Sequence, residues 1–140
     1  FFLGSTQQTL NQLQDELVRR YPGITVAGTF SPPFADVTDD FIEACVASVS
    51  AAKPDLIWLG LGTPKQDDLG TALAERAHVT TVNVGAAFDF VAGTVKEAPL
   101  WVQNAGLEWA FRFAAEPKRL WRRYVFGNIR FVKAAIFSRG

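Results

Sequence analysis

Three short stretches hold the residues whose types and spacing suit chemistry. The first, GLGTPKQD (Gly60–Asp67), follows the apolar run DLIWL and opens a helical segment. Its glycines, Gly60 and Gly62, allow close backbone approach, and a helix start offers free N–H groups to an anion, with Lys65 and Gln66 beside them. The same residues also make a capping box without any ligand: Thr63 at the cap, Pro64 at the first helical position and Gln66 reaching back. Local sequence leaves both readings open, although Lys65 is a residue that a cap alone does not need. The stretch is neither a Walker A loop nor GxGxxG. The second stretch is VGAAFDF, where Gly85 and Asp89 lie just past a strand. Between Phe88 and Phe90, Asp89 suits a base, an acceptor for a ribose or sugar hydroxyl, or a helix cap. The third is basic: Arg112, Arg119 and Arg122, spaced by seven and three, share one face of an unbroken helix, and Pro117 interrupts that face.

Other reactive residues read as structural. No metal-ligand spacing and no DxD triplet occurs, so no metal and no cofactor is expected. Asp39-Asp40 and Asp67-Asp68 fall in helix first turns, where acids favour the dipole. His78 ends a helix and suits its C-terminus in the same way. The single Cys45 excludes a disulfide within the chain and reads as a buried thiol on a helix face.

The elements that must position these residues alternate. FFLG reads as a first strand, and Ser5 with Gln8 fits a capping box before a helix with Leu10, Leu13 and Leu17 on one face. PGITVAG reads as a turn and second strand. Thr38 caps a second helix whose buried stripe is Ile42, Cys45, Val46 and Val49. DLIWLG is a third strand, so continuously apolar that cover on both faces is expected. Residues 64–78 form a third helix and TTVNVG a fourth strand. Strands alternating with helices predict an α/β fold, a Rossmann-like parallel sheet sandwiched by helices, over residues 1–103. In such sheets ligands bind at the carboxyl ends of the strands: here Gly4-Ser5-Thr6, Gly60–Gln66 and Gly85–Asp89.

Residues 104–140 predict a basic, aromatic helical appendage. The 140 residues sum to zero net charge, but the balance is −6 over residues 1–107 and +6 over 108–140. That tail also holds 8 of the 18 aromatics, so it suits an anionic surface. A hydrophobic content of 49% excludes a disordered chain, and no apolar run reaches the roughly 18 residues of a transmembrane helix. A start at FFLGS with no Met anywhere reads as the body of a strand, and a segment upstream of Phe1 is expected.

In order and spacing, GLGTPKQD, VGAAFDFVAGTVKEAP and GLEWAFRFAAEPKRLWRRY resemble the WecG/TagA/CpsF glycosyltransferases along essentially the whole chain. The resemblance implies transfer of N-acetylmannosamine or its uronic acid from a UDP-sugar. The acceptor would be undecaprenyl-diphosphate-linked N-acetylglucosamine at the cytoplasmic face of a bacterial membrane, in teichoic acid or surface-polysaccharide synthesis. It implies a donor pocket at Gly62, Thr63, Pro64, Lys65, Gln66, Gly85 and Asp89. Arg112, Arg119 and Arg122 would close over that site and stabilise the departing diphosphate of an inverting, metal-independent displacement. The general base would lie upstream of Phe1. Residues 108–140 would meet the anionic membrane, with no nucleic acid partner and homo-oligomerisation left open. Two positions depart from the family pattern: Glu97 stands where Arg is usual, and Asp67 where Glu is usual. Two other readings compete. A nucleotide-binding oxidoreductase-like domain would need a glycine fingerprint and an acid on the second strand. A non-catalytic module would bind anionic lipid or nucleic acid through the tail.

Overall fold

The computed structural model describes residues 1–95 and 98–115; for Leu100, Glu108, Trp109, Arg112 and Ala115 it describes the backbone alone. The chain divides into two units, Phe1–Lys96 and Glu97–Gly140.

The first unit follows the expected alternation: β1 (Phe2–Gly4), α1 (Gln7–Arg20), β2 (Thr29–Phe30), α2 (Asp39–Ala52), β3 (Leu56–Gly60), α3 (Lys65–Ala77), β4 (Thr80–Asn83) and a short α4 (Ala87–Val91). All strand pairs are parallel, in the order β2-β1-β3-β4. The chain leaves β1 for β2 on one side and returns to β3 on the other. The topological switch point, where open α/β sheets bind ligands, therefore lies between the carboxyl ends of β1 and β3.

Side chains alternate across the strands and divide the core in two. On one face Phe1, Leu3, Ile57 and Leu59 meet Phe41, Cys45 and Val49 of α2 and Leu69 and Leu73 of α3. On the other face Phe2 meets Leu10 and Leu13 of α1 and Phe88 of α4. The stripes expected on α1 and α2 point inward: Leu10, Leu13, Cys45 and Val49 are buried, and Leu17, Ile42 and Val46 pack against the clusters.

Helix ends follow local chemistry. Thr38 Oγ1 accepts from Phe41 N at 3.3 Å, with Asp39 and Asp40 in the first turn of α2. Glu16 accepts from Arg19 and Arg20 in the last turn of α1, and those bonds hold its carboxyl down at about 2. Lys53 (φ 48°) and His78 (φ 52°) end α2 and α3 in the left-handed conformation.

Four local expectations are corrected. Thr6, not Ser5, caps α1, accepting from Thr9 N at 3.2 Å. The second strand is Thr29–Phe30 rather than ITVAG, because β1 pairs only Phe2 with Thr29 and Leu3 with Phe30. Thr63 is not the cap of α3: Pro64 holds that position, the helix begins at Lys65, and the Thr63–Pro64 peptide is cis. On β3, Ile57 and Leu59 are fully buried but Trp58 remains 37% exposed. It lies on the Phe2 face, where the helical cover centres on β1.

In the second unit, α5 (Leu100–Asn104) and α6 (Glu108–Ala115) are joined at Gly106 (φ 68°). Leu107 N donates to Val102 O at 3.0 Å across this turn. Among the described residues no helix is long and apolar enough to cross a membrane.

Candidate functional site

The carboxyl end of β3 organises the site. Gly4 and Gly60 sit side by side in register, so close that a Cβ on Gly4 would lie 2.6 Å from the Gly60 carbonyl carbon. Gly4 also has φ 123°, so both the space and the backbone exclude a side chain there. A Cβ on Gly60 would lie 2.4 Å from Cδ2 of Phe88. The ring thus rests directly on the Gly60 backbone and meets Phe2 edge to face, with centroids 5.7 Å apart at 86°. Burying Phe88 fixes α4, and the next residue, Asp89, is thereby brought to the end of β1.

There Asp89 Oδ1 accepts from Ser5 Oγ at 3.2 Å. Its main-chain oxygen accepts from Thr94 N and Thr94 Oγ1, both at 3.0 Å, which folds the chain after α4 back onto it. Beside this pair, Gln66 is buried at the start of α3. Its Oε1 accepts from Gly85 N at 3.1 Å and its Nε2 donates to Thr63 Oγ1 at 3.5 Å. Gly85 (φ 55°) in turn donates to Leu59 O at 3.3 Å. The side chain of Gln66 therefore ties the turn after β3 to the turn after β4, in place of the reach back that a capping box requires.

Lys65 points elsewhere. Its Nζ donates to Ala35 O, lies 3.8 Å from Asp36 Oδ1 and stands 5.0 Å from the centroid of Phe34. In this structure it pins the loop after β2 rather than facing Gln66, and Phe34 at that loop is fully exposed. A Cβ on Gly62 (φ 78°) would meet nothing within 4 Å, so its conformation and not its lack of bulk requires glycine.

The structure thus gathers Thr63, Gln66, Gly85 and Asp89 around the ends of β1, β3 and β4, with Gly62 and Pro64 in the same turn. Arg112 lies on α6, and Arg119 and Arg122 lie outside the described residues. Among the described residues no group of three or more His, Cys, Asp or Glu is placed to hold a metal. Sequence reasoning placed Ser5 at a strand end that suits a ligand but gave its side chain a capping role, and it missed both the bond of Ser5 to Asp89 and the seating of Phe88 on Gly60. Phe88 beside Asp89 and the glycine ending DLIWLG were visible signals, but only the sheet brings them together.

A parallel sheet with helices on both faces belongs to the doubly wound α/β class, whose ligands bind at the switch point. The model of the glycosyl transferase WecG/TagA/CpsF family matches residues 1–139, and the chain belongs to that family. It is 31% identical over 123 residues to an N-acetylglucosaminyldiphosphoundecaprenol N-acetyl-beta-D-mannosaminyltransferase of Staphylococcus aureus strain NCTC 8325. The proteins of that name from strains COL and MSSA476 match equally. The match covers 87% of this chain and 46% of the relative, so the chain spans about half the length of the curated relatives it matches.

Proposed function

We propose that this chain is the donor-binding part of a glycosyltransferase that moves N-acetylmannosamine, or its uronic acid, from a UDP-sugar. The acceptor is undecaprenyl-diphosphate-linked N-acetylglucosamine, as the name of the Staphylococcus relatives suggests. The observations that carry the reading are the bond of Gly85 to Gln66, linking the turns after β3 and β4, and the bond of Ser5 to Asp89 at the end of β1, on strands that flank the switch point. A carboxylate and an amide at that place suit ribose and sugar hydroxyls, and the open turn at Gly62 lets a diphosphate approach the backbone.

Arg112, Arg119 and Arg122 are assigned to the departing UDP diphosphate, where a guanidinium fork neutralises developing charge without a metal. The acceptor hydroxyl would lose its proton to a carboxylate outside this chain, in an inverting displacement. Residues 108–140, with their excess of Lys, Arg and aromatics, are assigned to the anionic face of a bacterial membrane, where the acceptor lipid resides.

Calorimetric titration with UDP tests the reading, with and without magnesium. Saturable, magnesium-independent binding that weakens in Gln66→Ala and Asp89→Ala is expected. Parental affinity in both variants would remove these residues from the site. Binding to anionic liposomes or oligonucleotides with no response to UDP would favour a non-catalytic module instead.

A further inference from the structure

We propose that Ser5 is a positioning residue of this site: its hydroxyl holds the Asp89 carboxylate in the orientation that receives the donor. The inference rests on the assignment of Asp89 to the donor pocket and adds the residue that sets its geometry.

Ser5 has φ 55°, one of three non-glycine residues with positive φ among the described ones. The other two, Lys53 and His78, are helix C-caps, where that conformation is routine. Ser5 caps no helix, since Thr6 performs that task for α1. It follows Gly4 at the end of a strand, where a second glycine would meet the backbone requirement without strain. Something other than local folding therefore accounts for a side chain here.

Each polar group of Ser5 is engaged by a different segment at the carboxyl end of the sheet: β3, the chain after β2, and α4. Its N–H donates to Gly60 O at 3.2 Å, its carbonyl accepts from Ser31 Oγ at 2.8 Å, and its hydroxyl donates to Asp89 Oδ1 at 3.2 Å. A glycine would keep the first two bonds. Only the third requires the side chain. Phe88 on Gly60 places the Asp89 backbone, and Ser5 then fixes the carboxylate by occupying Oδ1, so that Oδ2 is the oxygen presented to a hydroxyl of the ligand.

Two substitutions separate this role from a structural one. Ser5→Gly relieves the backbone and deletes the hydroxyl. Ser5→Asn tolerates the left-handed conformation and brings an amide donor. By NMR, Asp89 in the parent chain is expected to hold one χ1 rotamer. In Ser5→Gly the melting temperature stays within roughly 3 °C of the parent, Asp89 averages between rotamers, and UDP affinity falls about tenfold, as for a lost hydrogen bond to a charged group. Ser5→Asn restores the single rotamer and most of the affinity. A single Asp89 rotamer in Ser5→Gly, or an asparagine variant no better than the glycine one, would overturn the proposal. Asp89→Ala tests the underlying assignment separately: parental UDP affinity in that variant would overturn the pocket reading whatever the rotamers show.

Discussion

The two faces of the sheet are built to different ends. The α2/α3 face buries nine residues in one apolar cluster, whereas the α1/α4 face buries only four, and one of these, Phe88, adjoins the site. The larger cluster holds the sheet together. The smaller one converts packing into position, since the ring of Phe88 on Gly60 brings Asp89 to Ser5. Stability and ligand geometry should therefore respond differently to changes on the two faces.

The largest effect on stability is expected on the α2/α3 face. Leu69 is fully buried there, and Leu69→Ala should cost about 2–5 kcal/mol, measured by denaturant unfolding, with UDP affinity unchanged in the folded fraction. A large loss of affinity at preserved stability would reverse the comparison. Gly60→Ala should show the opposite signature. The added methyl displaces the Phe88 ring at a cost of about 2 kcal/mol, and UDP affinity falls by more than tenfold because Asp89 moves with α4.

Cys45 sharpens the picture of the larger cluster. Burial pushes its thiol up to about 11, so the folded chain keeps it neutral while the unfolded chain ionises. Stability should be intact below pH 9 and fall as pH rises toward 11, by at most about 1.4 kcal/mol per pH unit. Cys45→Ala should remove that slope, and a slope that survives the substitution would assign it to another group. The smallest effect is expected at Arg76, which bonds Glu43 at 2.8 Å and Asp39 at 3.3 Å between the exposed sides of α3 and α2. Arg76→Ala should cost less than about 1 kcal/mol, an effect that fades with added salt.

Much of this organisation was legible in the sequence, wherever the signal is local. The alternation of strands and helices, the Thr38 cap and the inward stripe of α2 follow from residues a turn apart. The parallel sheet follows from that alternation. Local signals also misled. The β-branched residues of ITVAG look like a strand, yet Ile24 is 39% exposed and Val26 only packs against the smaller cluster. Thr63, Pro64 and Gln66 spell a capping box, but once β4 is in place the glutamine amide accepts from Gly85 N and donates to Thr63 Oγ1. The glycine of GLG looked suited to a phosphate, and at Gly60 it makes room for a phenylalanine from a distant segment. Both residues stand plainly in the sequence, but nothing local pairs them.

The most direct test of the central claim is a UDP titration followed by amide chemical shifts across the chain. The account predicts that perturbations centre on Ser5, on Gly62–Gln66 and on Gly85–Asp89, while the buried residues of α2 stay fixed. Shifts confined to the basic tail, or none at all, would contradict a nucleotide site at the carboxyl ends of β1 and β3.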